Sequence, residues 1–147
     1  MDIVPSTPAH ISLAHRLRPI DALECQAFGR SPKDALRLGL RTSTLCLTAT
    51  IDKRPEAMFG IVPANAIEGI GRPWFLGSEE VYHHGKAMVR TGLDVLGVFL
   101  SDYRRLENVV SAQNGKAVRL LRRWGFEIGE EPVRIGGVDF LHFWIDR

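Results

Sequence analysis

The chain has 147 residues, 45% of them hydrophobic and 24% charged, with a formal net charge of +2. Those values suit one globular domain, residues 1–147, and so small a cationic excess is no signature of nucleic-acid binding. Cys25 and Cys46 are the only cysteines and form neither a CxxC pair nor a metal-type spacing, which argues against a disulfide framework or zinc site and suits a reducing, intracellular place of synthesis.

Ile3-Val4 suits a short first strand. Thr7-Pro8 reads as a helix cap with proline at the first helical position, predicting a helix from Pro8 to about Arg16 that Pro19 ends. Ile20 to Phe28 predicts a second helix, closed by Gly29. Ser31-Pro32-Lys33-Asp34 starts a third, running to about Arg41. The period then changes. Thr44–Ile51 and Glu56–Val62 read as a hairpin around Asp52-Lys53-Arg54-Pro55, and Arg72–Leu76 as a third strand with Pro73 near its start.

Glu79 to Tyr103 is the longest helical region, starting near Ser78 or only at Gly85. Val81, Met88, Val95 and Leu96 share its apolar stripe, while Gly85, Gly92 and Gly97 weaken it. Leu106–Ser111 reads as a strand. Asn114–Trp124 is a helix with Ala117, Leu120, Leu121 and Trp124 at i, i+3, i+4 and i+7, closed by Gly125. Phe126–Ile128 starts a strand, Arg134–Gly137 turns, and Val138–Ile145 is a final strand. Helices clustered among a mixed sheet predict an α+β, or three-layer α/β/α, domain.

The first ten residues carry no basic segment followed by an apolar run, so no secretory signal is expected. Val95–Leu100 is the longest strongly apolar stretch and falls far short of the roughly 20 residues that span a bilayer. His83 and His84 point about 100° apart on a helix and share no ligand face, so no metal site is expected. Lys116, Arg119, Arg122 and Arg123 form a basic flank, read as a solvated face or as a contact for a phosphate or an acidic partner. The three tryptophans, Trp74, Trp124 and Trp144, fall in apolar-periodic elements and belong in or near the core. There is no P-loop, no dinucleotide fingerprint and no serine nucleophile elbow.

Val109 to Phe126 reads VVSAQNGKAVRLLRRWGF. Asn114 can cap the helix, Ala117 permits close packing on a sheet, Gly125 permits a left-handed exit, and Phe126 enters the core. This segment resembles the GNAT superfamily, the fold of acetyl-CoA-dependent N-acetyltransferases. The resemblance implies a mixed central sheet with helices on both faces. It implies acetyl-CoA bound where two parallel strands splay apart, here Arg72–Leu76 and Leu106–Ser111. The pyrophosphate would lie over the start of the long helix, at Tyr82, His83, His84, Gly85, Lys86 and Ala87, with Asn114 nearby. An active enzyme would let an amine attack the thioester directly, with backbone N–H groups of the splayed strand polarising the carbonyl.

Two positions depart from the resemblance. Tyr82 stands where the family places Arg or Gln, and Leu121 where many members place a proton-donating Tyr. Arg72–Leu76 carries no acid to act as base; Glu79, Glu80 or a histidine would have to serve, and no one residue is indicated. The stretches ALECQAFGRSPKDALRLGL, PEAMFGIVP and GIGRPWFLGSEE are similar to the GNAT-like internal virion proteins of short-tailed bacteriophages. That likeness implies a virion-associated or assembly role with a degenerate acetyl-CoA site. Its partners would be other phage proteins, and its place the host cytoplasm or the particle. The rival expectation is an active N-acetyltransferase with a small-molecule or protein amine as acceptor. An open gap between the two central strands favours a cofactor; a gap filled by side chains favours the structural role.

Overall fold

The computed structural model describes residues 1–147. Eight strands form one sheet, in the order β1 (Asp2–Pro5), β2 (Leu45–Ile51), β3 (Arg54–Asn65), β4 (Ile70–Gly77), β5 (Arg105–Ser111) and β8 (Val138–Asp146). The outer side of β8 carries β6 (Glu127–Ile128) and β7 (Val133–Ile135). All pairings are antiparallel except β4 with β5, which is parallel. The β2–β3 turn is a tight two-residue one. Asp52 and Lys53 have φ of 51° and 64°, as the primed hairpin turns require.

Helices cover both faces, so the expected three-layer arrangement is present. On one face, Leu13, Leu36 and Met58 bring a 3₁₀ segment (Pro8–Arg16) and α2 (Pro32–Thr42) onto β3; α1 (Pro19–Ala27) packs beside α2. On the other, α4 (Gly85–Asp102) and α5 (Gly115–Arg123) lie on a larger cluster that includes Leu96, Phe99, Leu106, Leu121, Phe126 and Phe143.

Two helical expectations are sharpened. Pro8–Arg16 is a helix over the expected residues, of the 3₁₀ kind. Its partly buried Ile11, Ala14 and Leu17 recur every third residue, which lines one row at three residues per turn. The region Glu79–Tyr103 is not continuous: α3 (Glu79–Tyr82) ends at Tyr82, and α4 begins at Gly85. Tyr82 is held inward by Arg18, and His84 sits off the helical region at φ −106°, ψ 48°. Both proposed starting points were therefore real, as two helices.

The glycines of α4 are of two kinds. A Cβ on Gly92 would overlap the Trp124 indole, whose Nε1 donates to Val89 O at 3.2 Å. Gly97 faces open space. Gly97→Ala should therefore stabilise the fold by about 0.5–1 kcal/mol through helix propensity. Gly92→Ala should destabilise it by about 1–3 kcal/mol through overpacking. Urea unfolding of the two variants beside the parent checks both signs.

Candidate active site between the diverging strands

β4 and β5 pair only at Ile70–Arg105 and Gly71–Leu106. Beyond that point they run on, to Gly77 and Ser111, without a ladder. Pro73 explains where pairing stops. Its carbonyl faces β5, so its missing N–H is a donor lost from that side. Asn108 replaces the lost rung: its Nδ2 donates to Pro73 O at 2.7 Å, and its Oδ1 accepts from Val109 N–H at 2.8 Å.

Past this brace a groove of about 680 Å³ opens between the strands. Gly77 also turns its backbone to that side, donating to Asp21 and accepting from Arg18 N–H. Alternation along the strand then directs the N–H and C=O of Phe75, midway between Pro73 and Gly77, into the gap.

The open end is spanned by α1. Asp21, Glu24 and Cys25 lie at i, i+3 and i+4, on one helix face. Asp21 Oδ2 accepts from Gly77 N–H at 2.8 Å, at the end of β4. Glu24 Oε1 accepts from Asn114 Nδ2 at 2.6 Å, just past the end of β5. Arg18, 4% exposed, ties the assembly together. Its guanidinium reaches Asp21 Oδ1 at 2.8 Å, Asn114 Oδ1 at 3.0 Å and Tyr82 Oη at 3.1 Å, and lies over the Tyr82 ring.

Burial pushes the Glu24 carboxyl up to about 7, opposed by the Asn114 hydrogen bond and reinforced by the nearby Asp21 charge. Asp21 is also raised by burial, against the pull of Arg18. Burial lifts the Cys25 thiol to about 12 and raises Cys46 as well, so neither is poised as a thiolate. A carboxyl near neutrality inside a groove is what general-base chemistry needs. No group of three or more metal-ligating side chains is present.

The residues expected at the phosphate loop divide. Tyr82 is half-buried in the Arg18 assembly, its ring edge-on to Phe75. His83 and His84 lie 3.4 and 3.5 Å from the same Glu80 carboxylate. Gly85, Lys86 and Ala87 form the first turn of α4, where N–H groups have no acceptor within the helix; the first internal bond is Met88 N–H to His84 O. Beside that turn, Lys86, Arg90, Lys116, Arg119 and Arg123 line a cleft of about 830 Å³ between α4 and α5. Asn114 caps α5 through Ala117 N–H, as its position suggested, and its remaining side-chain bonds go to Arg18 and Glu24. Leu121 is buried and lines the groove, and Glu79 and Glu80 do not line it. Glu24 as a site residue is not legible in the sequence, because its partner is 90 positions away. The available signal was the spacing of Asp21, Glu24 and Cys25 on a short amphipathic helix.

No sequence-family model matches the chain, and no curated protein matches it in sequence. Solved structures do match it in fold. A ribosomal-protein-alanine N-acetyltransferase from Brucella melitensis superposes with a TM-score of 0.72 at 16% identity, covering 100% of both chains. The aminoglycoside acetyltransferase AAC(6')-Ib, in complex with ribostamycin and coenzyme A, superposes at 0.71 with 12% identity, over 99% of this chain and 92% of that one. An acetyltransferase of the GNAT family from Streptococcus pneumoniae superposes at 0.64 with 13% identity, over 99% of each chain. The fold is the GNAT fold.

Arg18→Ala should cost about 3–5 kcal/mol of stability, because it leaves the buried Asp21 charge uncompensated. The midpoint and slope of a urea transition measure that loss.

Proposed function

We propose that the protein is an acyl-CoA-dependent N-acyltransferase in which Glu24 is the general base. The observation that carries the reading is a groove between β4 and β5 with a carboxyl near neutrality inside it. Two further features fit a CoA thioester. The free N–H groups at the start of α4 and the five cations beside them suit a pyrophosphate and a ribose phosphate. The Phe75 N–H and C=O offer strand-like bonds to a pantetheine arm lying in the gap. The neighbours named above are acetyltransferases, one of them an N-acetyltransferase and one in complex with coenzyme A.

When bound, acyl-CoA supplies an activated acyl group. The chain's own residues supply the rest. Glu24 accepts a proton from the attacking amine. Asn114 holds Glu24 in place, and Arg18 holds Asn114. The Phe75 N–H, fixed by the β3–β4 ladder, is available to a carbonyl oxygen that gains charge. Leu121 donates no proton, so the departing thiol takes its proton from the amine side or from solvent. A virion-associated or assembly role, expected from the likeness of the first half, has no support in these fold likenesses or in the groove.

Thiol release from acyl-CoA across a panel of amines tests the reaction. Glu24→Gln should lower kcat by about 10²- to 10⁴-fold. In the parent protein kcat/KM should rise with pH and level off above about 7, because Glu24 acts only when deprotonated. A pH profile unchanged in Glu24→Gln would remove Glu24 from the role, and failure of every amine would overturn the reaction.

Lys86→Ala combined with Arg119→Ala should weaken CoA binding by about tenfold or more, and added salt should weaken the parent's binding too. Isothermal titration with CoA measures both effects. Absence of CoA binding by the parent would overturn the reading.

A further inference from the structure

Beneath the groove, between the sheet and α4, lies an apolar cavity of about 100 Å³. Fifteen of its eighteen lining residues are hydrophobic, and the others are Pro73, Thr91 and Gly92. Apart from Thr91, the only polar side-chain groups are the indole N–H groups of Trp74 and Trp124, and these donate to Ser43 and to Val89 O. A buried water needs two to four polar partners, so this lining suits a hydrocarbon and not water.

The position of the cavity gives it meaning. Pro73 and Phe75 of β4 line both the cavity and the groove, as do Leu121 of α5 and Trp124 at its C-terminal cap. The two spaces thus share walls at the place where the Phe75 backbone faces the gap. A chain attached to a carbonyl beside Phe75 would pass from the groove into the cavity along apolar side chains alone. Leu121 matters here as a wall. A hydroxyl-bearing side chain at that position would put a polar group at the entrance.

We propose that this cavity receives the acyl chain of the donor, and that the donor is a short-chain acyl-CoA of about four carbons. The size follows from the volume. An engineered protein cavity of about 150 Å³ takes the six carbons of benzene, so 100 Å³ corresponds to about four. The inference rests on the acyl-CoA reading and adds the donor class to it.

The test is calorimetric titration of the intact protein with CoA and with acetyl-, propionyl-, butyryl-, hexanoyl- and octanoyl-CoA. Affinity should rise about fourfold per methylene from acetyl to butyryl, then stop rising or fall. Val95→Phe fills the cavity from α4, and Ala49→Leu fills it from β2. In either variant butyryl-CoA should bind no tighter than acetyl-CoA, with circular dichroism and thermal melting confirming the fold. If neither variant folds, the chain-length series on the parent protein decides. Equal affinities for CoA, acetyl-CoA and butyryl-CoA would overturn the donor assignment and leave the acyl-CoA reading standing. So would an unbroken rise to octanoyl-CoA, or a chain-length dependence that persists in folded filled-cavity variants. Absence of binding by every CoA species would overturn both.

Discussion

The guanidinium of Arg18 is the point on which the site depends. Three separate parts of the chain meet there, α1 through Asp21, α3 through Tyr82 and the cap of α5 through Asn114, while the backbone N–H of Arg18 donates to Gly77 O at the end of β4. An unpaired charge this deeply buried would be very costly, so these acceptors must all be in place when the chain is folded. The consequence is rigidity where it is needed. Diverging strands lose their ladder and would otherwise be free to drift; the buried cation and the acids of α1 hold their far ends at a set distance. Glu24 inherits its position from this arrangement, through Asn114.

Much of the fold could be read from local chemistry. Asn114 before an apolar helical period and Gly125 after it marked α5, and Gly125 does adopt a positive φ of 100°. Ser31-Pro32 marked the start of α2, where the Ser31 hydroxyl accepts from Asp34 N–H. Such signals act within four residues, so a single sequence carries them. The kind of helix at Pro8–Arg16 is not fixed by its cap and proline, which serve either kind. Only the three-residue spacing of Ile11, Ala14 and Leu17 separates the two. The break between α3 and α4 was visible only as two competing starts, since the pull on Tyr82 comes from Arg18, 64 positions earlier.

The site was less legible than the fold, for the same reason. The start of α4 and the basic flank of α5 were visible as separate features. That they face each other across one cleft is a fact of tertiary structure. The sequence offers Glu79, Glu80 or a histidine as a base, with none singled out. The carboxyl that fills the need comes from a helix on the opposite side of the sheet, and burial, which no spacing encodes, is what raises it to about 7. Pro73 marks the start of a strand in the sequence, but which neighbour loses the donor depends on the side its carbonyl faces, and that is shown by its bond to Asn108.

Pro73 has one more consequence, for how the molecule opens. Four strands, β1 to β4, form one continuous ladder, and β5 with β8 forms another. The two ladders share just two backbone rungs, at Ile70–Arg105 and Gly71–Leu106. The sheet is thus a pair of half-sheets on a short hinge, with the Asn108 brace beside the hinge and α1 as a strap across the mouth. Local excursions of a folded chain follow its weakest shared bonding. Amides along the mouth should therefore exchange with solvent through small openings of the strap, long before those in the β2–β3 ladder. A ligand lying in the mouth would join the half-sheets into one cooperative unit.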